Sequence, residues 1–160
     1  MKRQMIAGLA AIFTLSPLAL PVLAATRTVQ DQEPNDFQTQ SAGGLSAGDQ
    51  ITLQGEIGGV VGGENQDPSD MYSLVVKGDG QVSFIVEKAN GTVASSQTRL
   101  RVWTDRNGDG RITNEARRLD LESFRSRAIS LAPGAYIVQI TQSSKVPGKS
   151  VYFANVKSEF

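Results

Sequence analysis

Apolar and polar residues alternate with period two in six separate stretches of this chain, far more consistently than any stretch follows the 3.6 period of a helix. Ile51, Leu53 and Ile57 form one run, followed by Tyr72, Leu74 and Val76, then Val82, Phe84 and Val86. Leu100, Val102 and Thr104 form a fourth and Tyr136, Val138 and Ile140 a fifth. In the sixth, Tyr152, Ala154 and Val156 face away from Val151, Phe153 and Asn155. Side chains two apart share one side of a strand, so each run carries an apolar face that has to be covered. Sheets of such strands cover one another. The expected fold is all-β, an antiparallel β-sandwich of about seven or eight strands.

Turn chemistry separates the runs at Lys77-Gly78-Asp79-Gly80, Asn90-Gly91, Pro133-Gly134 and Pro147-Gly148. Glu115 to Phe124 is the most helix-like window, but it has no clean apolar stripe and reads equally well as a strand pair around Leu119 and Leu121. Residues Gly58 to Ser69 form a glycine-rich loop. It is too irregular for a phosphate cradle and precedes a strand rather than a helix.

Residues 1–24 have the form of a secretory signal peptide: Lys2 and Arg3, a mostly apolar run from Ile6 to Leu23, and small residues closing at Ala24. The competing reading is a membrane anchor. Pro17 and Pro21 interrupt a stretch barely long enough to span, and no basic stop-transfer flank follows. Cleavage after Ala24 leaves residues 25–160 as a single domain, large enough to bury a core without staples. With Lys2 and Arg3 removed, 16 acidic residues slightly outnumber the remaining basic ones. That balance gives no reason to expect nucleic acid or an acidic membrane as partner. The chain has no His and no Cys, which removes a Ser-His-Asp triad, thiol catalysis and His- or Cys-ligated metals. A metal here has to be held by oxygen, which favours Ca2+ or Mg2+.

Two acidic regions supply oxygen. "DQEPND" places Asp31, Glu33, Asn35 and Asp36 within six residues around Pro34, and "DPSDMYSL" places Asp67 and Asp70 where a strand begins. An extended segment that alternates carboxylates offers several ligands on one side; the first region by itself also reads as a solvated N-terminal tail.

Together, "EPND" and the later "D-x-x-D-x-Y" before an apolar strand resemble the bacterial pre-peptidase C-terminal domain, whose fold the collagen-binding domains of clostridial collagenases share. "LSAGDQITLQGEI", "LRVWTDRNGDG" and "LAPGAYIVQI" are similar to further segments of that family, so the resemblance runs from about Gln32 to Val156. It implies a jelly-roll-like sandwich in which the N-terminal acidic segment folds back onto the "D-x-x-D" loop around calcium. Glu33, Asn35 and Asp36 then match the family's ligands, and Asp67 and Asp70 match its loop carboxylates. Asp31 stands where relatives have a glutamate. Tyr72 matches the family's tyrosine and is read as core packing.

"TDRNGDGRITNE" has Asp105, Asn107 and Asp109 at alternate positions, with Gly108 and Gly110 permitting a tight backbone. It is not an EF-hand: position 12 is Ala116, Glu115 falls one place early, and a strand precedes it. Two readings remain, a calcium loop of another kind and a hairpin whose Asn, Asp and Gly simply suit the turn.

Arg99, Arg101, Arg117, Arg118, Arg125 and Arg127 form a local basic excess, read as the solvent faces of strands. Trp103 is read as a half-buried aromatic, with an exposed ligand platform as the alternative. The expected protein is a monomeric, secreted or periplasmic, non-catalytic module that binds Ca2+ and recognises a protein or polysaccharide surface. The resemblance adds a secreted peptidase as one such partner. A structural envelope component and a glycan hydrolase using paired carboxylates are the alternatives.

Overall fold

The computed structural model of the chain describes residues 23–33, 39–61, 64–65, 67–88, 98–122, 125–142 and 149–160. Among these residues there is no helix. Two five-stranded sheets face one another. The first has the order β1 (Thr26–Gln30), β3 (Gln50–Gly58), β12 (Lys149–Ser158), β7 (Gly80–Lys88) and β10 (Ser126–Leu131). The second has the order β2 (Gln40–Leu45), β6 (Ser69–Val76), β11 (Gly134–Gln142), β8 (Thr98–Thr104) and β9 (Arg117–Glu122). Within the glycine-rich stretch, β4 (Val60–Val61) and β5 (Glu64–Asn65) form a separate two-stranded ribbon.

The six alternating runs are the six interior strands: β3, β12 and β7 of one sheet, β6, β11 and β8 of the other. Their inward rows meet as one apolar core, including Ile51, Leu53, Leu74, Val82, Phe84, Leu100, Val138, Ile140 and Val156. Each large side chain so buried contributes about 1.5–3 kcal/mol. Glu115 to Phe124 resolves, over its described residues, into a loop and the strand β9, with Leu119 and Leu121 buried. The expected turns at residues 77–80 and 133–134 connect β6 to β7 and β10 to β11. Those at Asn90-Gly91 and Pro147-Gly148 lie outside the described residues.

Two expectations need correction. The expected all-β sandwich is present, but among the described residues the two main sheets hold ten strands rather than seven or eight, and they are mixed rather than wholly antiparallel. β1 runs parallel to β3, and β2 runs parallel to β6. Both are edge strands on the N-terminal side that join their sheets by crossing the sandwich rather than through a hairpin, and that connection leaves a parallel neighbour.

Candidate metal centre

At the inward-facing end of β6, the row Asp70, Tyr72, Leu74, Val76 puts a carboxylate in phase with core residues. Asp70 is 0% exposed. Opposite it, β12 carries Tyr152 on its own inward row, and the Tyr152 hydroxyl crosses between the sheets to donate to Asp70 Oδ2. Tyr72 and Tyr152 hydroxyl oxygens lie 2.6 Å apart. With the Tyr152 proton committed to Asp70, Tyr152 accepts from Tyr72. The other carboxylate oxygen, Asp70 Oδ1, is buried and has no hydrogen-bond partner among the described residues.

The N-terminal segment supplies the neighbours. β1 is held in parallel register with β3 to Gln30↔Gln54, and Asp31 N–H continues the pattern by donating to Gln54 carbonyl at 2.7 Å. The side chains of Asp31 and Glu33 are thereby brought to Asp70: one oxygen from each of the three carboxylates lies within 4.8 Å of the others. Space for this comes from Gly55, the gap in the Ile51, Leu53, Ile57 row. A Cβ there would stand 2.6 Å from the Tyr152 hydroxyl oxygen and 2.7 Å from Asp31 Cβ.

The electrostatics follow from the crowding. Burial pushes the Asp70 carboxyl up to about 8; the hydrogen bond from Tyr152 opposes the rise, and the negative charges of Asp31, Asp67 and Glu33 add to it. Burial also raises both tyrosine hydroxyls well above their ordinary range, and the Asp70 charge raises them further. Three converging carboxylates, one of them buried with an orphaned oxygen, need either a proton or a cation between them. The donor set is all oxygen and graded from fully buried Asp70 to exposed Glu33. It fits a hard divalent ion of flexible coordination, such as Ca2+.

Of the other residues expected in this region, Asp67 is buried beside the group. Its carbonyl accepts from Gly58 N–H at 2.7 Å, and its charge bears on Asp70. Asn35 and Asp36 lie outside the described residues. Tyr152 and Gly55 were not among the expected site residues. Their traces in the sequence are the tyrosine at the head of the Tyr152, Ala154, Val156 row and the glycine that interrupts an apolar one.

The loop after β8 is built differently. Asp105 is buried, and its two oxygens accept from Gly108 N–H at 2.9 Å and Gly110 N–H at 3.1 Å. Asn107 Oδ1 accepts from Asp109 N–H at 3.2 Å, and Asn107 Nδ2 donates to Asp109 Oδ2 at 2.9 Å. Asp109 Oδ1 accepts from Arg111 N–H at 2.8 Å. Gly110 adopts φ of +69° against Thr39, where a Cβ would run into the threonine hydroxyl.

On the outer face of the second sheet, three of the six arginines of the basic excess are paired. Arg99, Arg101 and Arg117 all reach Asp120 at 2.9–3.5 Å, and Arg99 also meets Glu122. Trp103 is half-buried, with the Arg117 guanidinium 5.8 Å from its ring centre.

No family model matches the chain, and no curated protein matches it. Solved structures do. The pre-peptidase C-terminal domain of a Bacillus anthracis collagenase is similar at 16% identity and a TM-score of 0.47, over 77% of this chain and 100% of that one. One similar structure is thus a domain of the kind that the motifs resemble. PliG of Aeromonas hydrophila, a periplasmic inhibitor of g-type lysozyme, is similar at 16% identity and a TM-score of 0.45, over 84% of this chain and 98% of that one. The Yersinia pseudotuberculosis-derived mitogen is similar at 13% identity and a TM-score of 0.47, over 69% and 86%.

Proposed function

We propose that this protein is an exported, non-catalytic β-sandwich module that binds Ca2+ through Asp31, Glu33 and Asp70, and that it recognises a protein or polysaccharide surface. One observation carries the metal reading: a fully buried carboxylate with an orphaned oxygen faces two further carboxylates within 4.8 Å. The ion would screen their repulsion and tie the segment after β1 to β6 of the opposite sheet. Asp67, Asn35 and Asp36 remain candidate ligands through the motif resemblance. At a hundredfold excess over Kd, binding to the folded state alone stabilises it by about 2.7 kcal/mol, a large share of the roughly 5–15 kcal/mol typical of a domain. Export is supported by the form of residues 1–24. A secreted peptidase is one class of protein partner.

The test is a thermal melt and a calorimetric titration of the leader-free chain in EDTA, Ca2+ and Mg2+, with Asp70→Asn alongside. The expected result is a calcium-specific Tm rise of about 10 °C at saturating ion, absent in Asp70→Asn. An unchanged Tm and no heat of binding would end the metal reading. Capture of a defined partner from envelope or culture medium in Ca2+ tests the recognition role, and capture of nothing specific counts against it.

The raised pKa of Asp70 beside other carboxylates also favours a second reading, a glycan-cleaving acid pair. Against it, Asp70 is 0% exposed and bonded to Tyr152, whereas a catalytic acid needs a cleft that admits the sugar. Hydrolysis of a polysaccharide lost in Glu33→Gln would revive it.

A further inference from the structure

The turn between β2 and β3 holds a further buried carboxylate, not one of the metal candidates and 6% exposed: Asp49. Its Oδ1 accepts from Ala25 N–H at 2.8 Å, and its Oδ2 accepts from Ser46 N–H at 2.8 Å. The surrounding backbone closes on the same point. Asp49 N–H donates to Ser46 carbonyl at 3.1 Å, Gln50 N–H to Ala25 carbonyl at 2.8 Å, and Ser158 N–H at the end of β12 to Asp49 carbonyl at 3.0 Å. Ala24 lies against Gly48, where a Cβ would come within 3.1 Å of the alanine methyl. Ala24 and Ala25 are exposed, and Leu23 beyond them is 85% exposed.

A hydrogen-bonded carboxylate therefore sits on the nitrogen of residue 25, the nitrogen that cleavage of the expected leader would free. We propose that Asp49 is the receptor for the α-ammonium group created by cleavage between Ala24 and Ala25, so that processing latches the new N-terminus to the β2–β3 turn. This rests on the exported reading above. In that cleavage, water adds across the Ala24–Ala25 amide and the C–N bond breaks. Ala24 takes the oxygen as a carboxylate, and the Ala25 nitrogen takes up protons to become ammonium.

The exchange improves the contact. A neutral amide offers one N–H, whereas an ammonium offers three and a full charge, and charge-assisted bonds are roughly twice as strong. The cations facing Asp49 are Arg27 of β1 and Lys77 after β6. They oppose a third positive charge. Arg27, however, is committed to the carbonyls of Ala42 and Gly44, so the directly bonded nitrogen at 2.8 Å dominates. The Asp49 carboxyl is held below its ordinary range by the hydrogen bonds from Ala25 and Ser46, so at neutral pH it is ionised while the α-amine is protonated.

The experiment compares the exported protein with a version that starts at Leu23, so that residue 25 keeps its amide. Protein sequencing first establishes the exported N-terminus; a start elsewhere overturns the proposal through its premise. A start at Ala25 makes the melts decisive. The ammonium's pKa is raised by its partner, so its contribution is complete below about pH 8 and lost as pH rises through the folded-state value. At pH 6 the Ala25 start should melt about 2–5 °C higher, the gap should close above pH 9, and Asp49→Asn should erase it. If Asp49→Asn fails to fold, pH-dependent acylation of the α-amine gives the same answer, with an expected pKa about one unit above its usual value. Equal Tm values at pH 6, or an α-amine titrating at its ordinary pKa, would overturn the latch.

Discussion

Two acidic regions of this chain use the same residue types to opposite ends. In the loop after β8, Asp105 spends both oxygens on backbone N–H groups of its own turn, and Asn107 and Asp109 close on each other and on Arg111. Each negative charge there meets donors a few residues away, so the loop is satisfied locally. At the other region, Asp31, Glu33 and Asp70 arrive from separate elements and converge on one another. Local convergence onto amides needs no further ion; long-range convergence of like charges needs a proton or a cation. Spacing in the sequence does not separate the two cases. The partners of the carboxylates do.

The largest effect expected from the comparison lies in the loop. Asp105→Ala leaves the buried Gly110 N–H and the Gly108 N–H without acceptors and should cost about 3–4 kcal/mol. The loss should be the same in Ca2+ and in EDTA by chemical denaturation. A loss confined to Ca2+ would move the loop into the same class as the N-terminal cluster. Next is the calcium response of about 2.7 kcal/mol at a hundredfold excess over Kd, which Asp70→Asn should remove without lowering stability in EDTA.

The pH dependence without calcium sharpens the same contrast. Asp70 binds its proton more tightly in the folded chain, at about 8 against an ordinary 3.8. Its stabilising contribution is therefore complete below about pH 4 and lost as pH rises toward 8. In EDTA, Tm should fall across that window, and Asp70→Asn should flatten the fall. Added Ca2+ should help most at the top of the window, where the proton no longer neutralises the site. Gly55→Ala comes after it. Its Cβ would meet the Tyr152 hydroxyl and Asp31, costing about 1–3 kcal/mol by overpacking and weakening calcium binding through the displaced Asp31. An unaltered calcium affinity would show that Asp31 is not a ligand.

How much of this was legible follows from where alternation arises. A strand flanked on both sides buries one full face and shows period two, and the six runs found in the sequence are the six interior strands. The edges β1, β2 and β10 carry exposed, glycine-rich or mixed residues, with burial too shallow to imprint a period. They are the strands missing from the count, and β1 and β2 carry the parallel pairings. Asp70 was legible as an acidic residue in phase with Tyr72, Leu74 and Val76. That Tyr152 reaches it from the facing sheet was not legible, because contacts between sheets depend on stacking that no single run encodes. The loop's ambiguity had a similar origin: Asp and Asn at alternate positions suit an ion and a turn equally.

The smallest predicted effect tests the loop most directly. Asp109 is exposed, and its oxygens accept from Arg111 N–H and Asn107 Nδ2 at the rim of the turn, where water can replace them. Asp109→Ala should therefore cost no more than about 0.5–1.5 kcal/mol. Unlike Asp105, it carries little of the turn's interior, so its removal reports on an ion without unfolding the loop. In a calcium melt, the shift seen for the wild type should persist in Asp109→Ala with the same midpoint in calcium concentration. A smaller shift, or a titration that drops from two ions to one, would show that the turn binds calcium as well. Local satisfaction by amides would then be compatible with metal binding, and the division between the two acidic regions would rest on affinity rather than on kind.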